Sequence, residues 1–216
     1  MGYQLVLFDF DYTLADSSRG IVTCFQNVLK RHNFTDIEDE TVKRTIGKPL
    51  EESFSILSGI EDDDTITSFK KEYVKEADTH MTVNTFLFPD TVHLLQELKK
   101  RNIKIGIIST KYRYRIIEFF EKHFSPDNFD IMVGGEDVTK HKPDPEGLLF
   151  AMNKLHCKPE EVLYIGDSTI DAETAERANV DFVGVTTGMT TLGELSAFPH
   201  VSILPRLGDL LKEGIV

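Results

Sequence analysis

The sequence predicts an α/β fold built on a parallel sheet, and three observations support this prediction. Short apolar runs alternate with segments of helical periodicity from residue 91 to the end of the chain. Another apolar run, at residues 5–8, stands apart from them, and residues 16–85 contain no convincing strand. Strands that alternate with helices are typical of a parallel sheet covered by helices on both faces. We therefore expect a Rossmann-like doubly wound parallel sheet core with an inserted small helical-bundle domain.

The inserted segment carries apolar residues at helical spacing. Ile21, Phe25 and Leu29 form the first stripe, and Ser17 or Ser18 is a plausible helix cap before it. Further helices are expected over residues 38–45, from residue 50, and over residues 65–79. These patterns predict a helical domain of residues 16–85, inserted into a sheet domain of residues 1–15 and 86–216.

The sheet domain is predicted from alternating apolar runs and amphipathic segments. Its expected strands are residues 5–8, 103–108, 129–133, 162–165, 182–185 and 201–204. Its expected helices are residues 91–101, 113–123, 145–156, 170–178 and 207–212.

Composition limits the partners that the protein can bind. Asp and Glu number 36 against 24 Lys and Arg, which gives a formal net charge of −12. Nucleic acids and anionic membranes both attract basic faces, so we expect neither as a partner. Cys24 and Cys157 lie in helical patterns without metal-ligand spacing and are expected in the core. Neither a secretory signal nor a membrane span is visible, which predicts a cytoplasmic protein. A monomer or a homodimer is expected.

Two aspartates follow the first strand directly. Asp9 and Asp11 can point the same way because side chains alternate along a strand, and Thr13 follows at the same spacing. Two close carboxylates favour a bound cation or a shared proton. Taken alone, the pattern also fits a strand that ends in a polar turn.

Hydroxyl groups follow the second strand of the sheet domain. Ser109 and Thr110 stand there, with Lys111 directly after them. A hydroxyl beside backbone N–H groups that are available as donors beyond the strand end can bind a phosphate oxygen. The same residues commonly cap helices, so this motif alone leaves both interpretations open.

Charged residues also precede two of the later helices. Lys142 stands before Pro143 and Pro145, which fix the backbone and begin a helix. Asp167 ends a strand, and Asp171 lies four residues on, where a starting helix would bring the two carboxylates together. Separately, these fit an exposed loop lysine and an acidic helix cap.

In a doubly wound sheet the carboxyl ends of the strands converge, so these motifs are expected at one site. Four carboxylates would then lie close together, those of Asp9, Asp11, Asp167 and Asp171. Lys142 supplies one positive charge, and a hard divalent cation with oxygen ligands supplies two. The polar groups of the second motif would then face a bound anion.

The four motifs, in this order, resemble the haloacid dehalogenase superfamily. They are Asp-x-Asp-x-Thr, a strand-end Ser or Thr, Lys-Pro-x-Pro and Gly-Asp-x-x-x-Asp. The order is most similar to the phosphoglycolate phosphatase and β-phosphoglucomutase branch, which carries a helical cap between the first two motifs. The resemblance covers nearly the whole chain.

The resemblance implies specific catalytic roles. Asp9 would attack phosphorus and form an aspartyl-phosphate, and Asp11 would act as the general acid and base. Ser109 would hold the phosphoryl group, and Lys142 would neutralise it together with Asp9. Since dehalogenases of the superfamily lack the second aspartate, Asp11 favours phosphate esters as substrates.

The resemblance also implies a cofactor, Mg²⁺. Its ligands would be Asp9, Asp167 and the backbone carbonyl of Asp11. Asp171 would join through water or orient its neighbours, and Thr13 would support the site.

Substrate binding is expected to involve Thr110 and Lys111 at the second motif, and Gly47 and Lys48 between helices of the cap. Tyr12 stands where most relatives have glycine, so the first turn is expected to differ. The implied function is a Mg²⁺-dependent phosphatase for a small phosphorylated metabolite, similar to phosphoglycolate phosphatase. A phosphosugar mutase similar to β-phosphoglucomutase and an inorganic pyrophosphatase of the same fold remain alternatives.

Overall fold

A computed structural model describes residues 2–216, which form two compact units. One unit combines the residues up to Ala15 with Leu87–Val216, and the other consists of Asp16–Phe86.

The helical unit contains four α-helices, as its apolar periodicity indicates. These are α1 (Ser18–Arg31), α2 (Asp39–Lys43), α3 (Leu50–Ser58) and α4 (Asp63–His80). The predicted stripe on α1 is buried, and the Phe25 ring packs at a tilt of 54° against those of Phe54 and Tyr73, with centroids 4.6 and 4.8 Å apart. Asp62 caps α4 by accepting a hydrogen bond from the Thr65 backbone N–H at 2.9 Å. This unit therefore has an apolar core of its own.

The other unit is built on a six-stranded sheet in which each neighbouring pair is parallel. The strands of the chain are β1 (Leu5–Phe8), β2 (Ala15–Asp16), β3 (Phe86–Leu87), β4 (Lys104–Ile108), β5 (Ile131–Val133), β6 (Val162–Gly166), β7 (Asp181–Val185) and β8 (Ser202–Leu204). The sheet order is β5-β4-β1-β6-β7-β8, while β2 and β3 form a separate two-stranded sheet. The order runs outward from β1 in both directions, which confirms the predicted doubly wound α/β fold.

Helices cover both faces of this sheet. They are α5 (Thr91–Lys100), α6 (Arg113–Phe120), α7 (Glu146–Leu155), α8 (Thr169–Ala178), α9 (Leu192–Leu195) and α10 (Asp209–Lys212). Helix α9, which has four residues, was not predicted. Within residues 2–216, no helix combines the length and apolar character needed to cross a bilayer.

Side-chain alternation divides the strand residues between two cores. Val6 and Phe8 of β1 face the core that contains residues of α5 and α6. Leu5 and Leu7 face the opposite core, which contains residues of α7 and α8. All four side chains are fully buried, and each contributes about 1.5–3 kcal/mol through burial of apolar surface.

The register of the central strands positions the site. In the β1–β6 pair, Leu7 lies beside Tyr164 and Phe8 beside Ile165. The pairing ends as the Asp9 backbone N–H donates to the Ile165 carbonyl at 2.8 Å. Asp9 thus emerges at the carboxyl edge of the sheet, between the ends of β4 and β6.

Candidate active site

The centre of the site is a buried lysine ammonium. Lys142 Nζ lies 2.8 Å from Asp9 Oδ1, 2.6 Å from Asp171 Oδ1 and 3.2 Å from the Tyr164 hydroxyl oxygen. All four residues are buried. An ammonium has three hydrogens to donate, and the three oxygens match that number.

Burial and charge shift the pKa values of this ion pair. Burial raises the pKa of Asp9 to about 7, against the lowering effect of Lys142 and with further increases from Asp171 and Asp11. Burial by itself would lower the pKa of Lys142, but the carboxylates of Asp171 and Asp9 raise it well above its usual value. Lys142 is therefore a permanent cation that favours the anionic form of Asp9.

Asp171 is held by hydrogen bonds to both of its oxygens. Its Oδ1 faces Lys142 and Tyr164, at 2.6 and 2.9 Å. Its Oδ2 accepts from the Ser168 backbone N–H at 3.1 Å and from the Ser168 hydroxyl at 2.6 Å. The Asp171 N–H in turn donates to the Ser168 hydroxyl oxygen, which completes a capping box at the start of α8. Asp171 is thus suited to orient Lys142.

Asp167 has a different environment. It is buried, and burial together with the carboxylates of Asp171 and Asp9 raises its pKa well above the usual value. Carboxylate oxygens of Asp9, Asp167 and Asp171 lie within 4.8 Å of one another. Because the Asp171 oxygens already accept hydrogen bonds, Asp9 and Asp167 are the side chains best placed to bind a cation. An oxygen donor set with excess negative charge fits Mg²⁺.

Asp11 and Lys111 form a second ion pair. Lys111 Nζ lies 3.1 Å from Asp11 Oδ1, and less than a tenth of either side chain is exposed. The Lys111 backbone N–H donates to the Ser109 hydroxyl oxygen at 3.2 Å. Ser109 is also buried, and Thr110 between them is partly buried. The predicted residues of the second motif therefore lie next to those of the first.

The turn after Asp11 has an unusual backbone. Tyr12 has a φ of 61°, a left-handed conformation that residues other than glycine rarely adopt. Its carbonyl oxygen accepts a hydrogen bond from the Thr187 hydroxyl. Thr13 is fully buried, and its hydroxyl has no hydrogen-bond partner among the described residues. Tyr12 thus occupies a left-handed turn that glycine would adopt without a steric cost.

Gly188, in the loop after β7, lies against Asp167. A Cβ atom at this position would stand 1.8 Å from Asp167 Oδ2 and 3.1 Å from the Tyr12 Cβ. Only a residue without a side chain leaves room for the carboxylate. Gly188 therefore helps to set the orientation of Asp167.

Gly47 and Lys48 lie in the helical unit, between α2 and α3. Gly47 has a φ of 97°, and Lys48 forms an ion pair with Glu52 at 2.5 Å. Their contribution to substrate binding stays a prediction.

Sequence reasoning missed Tyr164, Thr187 and Gly188. Tyr164 lies in an apolar strand, where the pattern indicates a core residue, although a buried tyrosine hydroxyl needs a partner and so gives a weak signal. Thr187 and Gly188 follow a strand that carries no recognised motif, so their contacts depend on the three-dimensional arrangement.

Carboxylates gathered around an ammonium at the carboxyl edge of a doubly wound sheet place the chain in a class, the α/β proteins whose active or binding site lies at this edge. The chain belongs to one family of that class, the haloacid dehalogenase-like hydrolases, whose family profile matches residues 6–185. The family resemblance and the enzyme class predicted from the sequence, a hydrolase of the phosphatase type, are confirmed.

Known proteins match nearly the whole chain. Pyrophosphatase PpaX of Oceanobacillus iheyensis is 32% identical over 211 residues, which cover 98% of this chain and 96% of that protein. A crystal structure from Bacteroides fragilis, provisionally named a haloacid dehalogenase-like hydrolase, has a TM-score of 0.95 and 63% identity, and covers 96% of this chain and 99% of that chain. A Lactobacillus plantarum structure, provisionally named phosphoglycolate phosphatase, has a TM-score of 0.86 and 25% identity, with 98% and 99% covered.

We expect Gly188→Ala to lower phosphatase activity by about a hundredfold, because the new methyl group displaces the Asp167 carboxylate, and small displacements in a site have effects of this order. The melting temperature should change little, because the atom displaced is the end of a side chain. Gly193→Ala is the matched control, since the nearest atom to its added Cβ is 4.0 Å away. Equal activity in the two variants would show that Asp167 does not depend on Gly188.

We expect the metal-free protein to lose stability as the pH rises, because of Asp9. Its pKa of about 7 in the folded state exceeds the ordinary aspartate value of 3.8, so the folded state binds this proton more tightly than the unfolded state does. The resulting stability is fully present below the unfolded pKa and is lost as the pH rises through about 7.

Urea unfolding in EDTA at pH 5 and pH 8 measures this effect. From pH 5 to pH 8, the free energy of unfolding should decrease in the wild type. This decrease should be larger than that of Asp9→Asn by about 2 kcal/mol. The exposed Asp127→Asn variant should follow the wild type. Parallel curves for the wild type and Asp9→Asn would contradict the prediction.

Proposed function

We propose that this protein is a Mg²⁺-dependent phosphatase that hydrolyses a small phosphorylated compound through an aspartyl-phosphate at Asp9. The observation that carries the proposal is the 2.8 Å contact between Asp9 Oδ1 and the buried Lys142 ammonium. Lys142 occupies one oxygen of the carboxylate, and the other oxygen is the nucleophile. A carboxylate nucleophile divides one difficult displacement into two easier ones.

The proposed reaction has two displacements on phosphorus. Asp9 forms a bond to phosphorus while the bond to the leaving oxygen breaks, and Asp11 donates a proton to that oxygen. Water then attacks the phosphorus of the aspartyl-phosphate, Asp11 accepts the proton from water, and the Asp9 carboxylate and inorganic phosphate separate. In both steps Ser109 binds a phosphoryl oxygen, and Lys142 offsets the negative charge of Asp9 and the phosphoryl group. Positioning and charge neutralisation are the main requirements of phosphoryl transfer.

Mg²⁺ would be held by the carboxylates of Asp9 and Asp167 and by the Asp11 carbonyl. Bound there, it would neutralise charge on the phosphoryl group. The acidic cluster supports this assignment, because three buried carboxylates lie together with a single ammonium between two of them. Asp171 and Thr13 would support these residues without binding the metal directly.

The two units would have separate roles. Residues 1–15 and 86–216 would form the catalytic domain, and residues 16–85 the helical cap that selects the substrate through Gly47 and Lys48. Thr110 and Lys111 would contribute to substrate binding from the catalytic domain.

The proposed substrate is inorganic pyrophosphate. Two facts support it: PpaX, a pyrophosphatase by name, matches nearly the whole chain, and Lys111 places a cation beside Asp11, which protonates the leaving group in the proposed reaction. A cation at this point favours an anionic leaving group. Phosphoglycolate also has one, and the L. plantarum structure supports it as the second candidate.

We expect phosphate release from pyrophosphate to exceed release from any other compound in a panel that contains phosphoglycolate, sugar phosphates and nucleoside monophosphates. EDTA should abolish activity and excess Mg²⁺ should restore it, since the carboxylate cluster needs a hard cation. Asp9→Asn, which lacks the nucleophile, is the blank and should release no phosphate above background.

Each alternative gives a different result in this panel. A preference for phosphoglycolate would select the second candidate, and an isomerised sugar phosphate without phosphate release would identify a mutase. Full turnover in EDTA would contradict the metal assignment, and full turnover by Asp9→Asn would contradict the aspartyl-phosphate.

We expect Lys111→Gln to lower kcat/KM for pyrophosphate about tenfold more than for p-nitrophenyl phosphate, because the leaving phosphate of pyrophosphate is already charged in the bound substrate, whereas the nitrophenyl group is neutral until the bond to phosphorus breaks. Lys100→Gln, at a lysine with an exposed side chain, is the control and should leave both values unchanged. Equal losses on both substrates would limit Lys111 to its contact with Asp11.

A further inference from the structure

Tyr164 joins three separate parts of the site. Its hydroxyl oxygen lies 3.2 Å from Lys142 Nζ, 2.9 Å from Asp171 Oδ1 and 3.3 Å from the Ile108 carbonyl oxygen. Ile108 ends β4 and directly precedes Ser109. The hydroxyl therefore connects the strand end that carries Ser109 with the lysine that contacts Asp9.

The hydroxyl also completes the hydrogen bonding of the ammonium. Two of the Lys142 donors face carboxylates, and the Tyr164 oxygen is the third acceptor. Lys142, Asp171 and Tyr164 form a closed triangle with sides of 2.6, 2.9 and 3.2 Å. A buried donor without an acceptor is costly, so this contact restricts the positions that the ammonium can occupy.

The sheet explains why the tyrosine can act as a fixed support. Tyr164 lies in the middle of β6, is fully buried and stands beside Leu7 in the register with β1. Leu7 is two residues before Asp9, so Tyr164 and Asp9 lie on the same face of neighbouring strands. The Tyr164 ring packs in the apolar core, and this packing fixes the direction in which its hydroxyl points toward Lys142.

We propose that Tyr164 is a positioning residue that holds the Lys142 ammonium against Asp9. Tyr164 does not contact the reacting atoms, and it acts through Lys142 by accepting its third hydrogen bond. The proposal rests on the proposed function, because it assigns Lys142 to the neutralisation of Asp9 and phosphate.

A double-mutant cycle tests the proposal by kinetics. Tyr164→Phe keeps the ring and removes the hydroxyl, and we expect kcat to fall about tenfold or more while KM changes less than about threefold, because one hydrogen bond to a charged group is lost. In a Lys142→Met background the same substitution should have almost no further effect. The control is Tyr73→Phe, which removes the hydroxyl of a buried tyrosine in the helical unit and should keep wild-type kcat.

Crystal structures of the wild type and Tyr164→Phe give a second readout that needs no activity. We expect Lys142 Nζ to move from 2.8 Å to beyond hydrogen-bond distance of Asp9 Oδ1 in the variant. This result would support the positioning role even if no substrate of the panel were hydrolysed, so it separates this proposal from the proposed function.

Several outcomes would overturn the proposal. An unmoved Lys142, an unchanged kcat, or a loss of kcat that persists in full in the Lys142→Met background would each show that Tyr164 does not act through Lys142. Loss of cooperative thermal unfolding in Tyr164→Phe would assign the hydroxyl to the stability of the fold and overturn the positioning role as well.

Discussion

The Lys142 ammonium is the charge on which the arrangement of the site depends. It lies between two buried carboxylates, those of Asp9 and Asp171, in a region largely closed to water. Buried carboxylates lose hydration, and only close opposite charge and hydrogen bonds offset that loss. One positive charge cannot offset the three negative charges of Asp9, Asp171 and Asp167. The pKa values of Asp9 and Asp167 therefore stay raised, chiefly by burial and further by the neighbouring carboxylates. The remaining negative charge makes the site suited to a divalent cation.

The sheet brings these charges together by simple geometry. β1 pairs with β4 on one side and β6 on the other, so the loops that follow three parallel strands meet at one edge. The apolar residues before that edge are fully buried and supply the stability of the core. The stability from these apolar residues allows the fold to tolerate the repulsion among the carboxylates at the edge. Such tolerance is common where a binding site is built on a rigid scaffold.

The fold and the charged residues of the site were predictable from sequence for a physical reason. Apolar runs that alternate with helical segments indicate a parallel sheet, and strand ends in such a sheet converge. The sequence therefore predicts Asp9 and Asp167 at one edge, where their carboxylate oxygens lie within 4.8 Å of each other. Tyr164 and Gly188 were not predictable, because their contribution depends on contacts across strands. A tyrosine in an apolar run and a glycine in a loop have many ordinary explanations, and distances alone distinguish among them.

The turn after Asp11 shows how a tyrosine is accommodated in a left-handed backbone conformation. Holding a tyrosine at φ 61° costs about 1–3 kcal/mol, which glycine would avoid. Tyr12 is buried, and the Thr187 hydroxyl binds its carbonyl oxygen, so burial and a hydrogen bond both offset the strain. The extra side chain also occupies space, because Tyr12 Cβ lies near the position that a side chain at residue 188 would need. Glycine at 188 therefore leaves room for both the Tyr12 turn and the Asp167 carboxylate, and the loop after β7 is a structural part of the site even though it carries no charged group there.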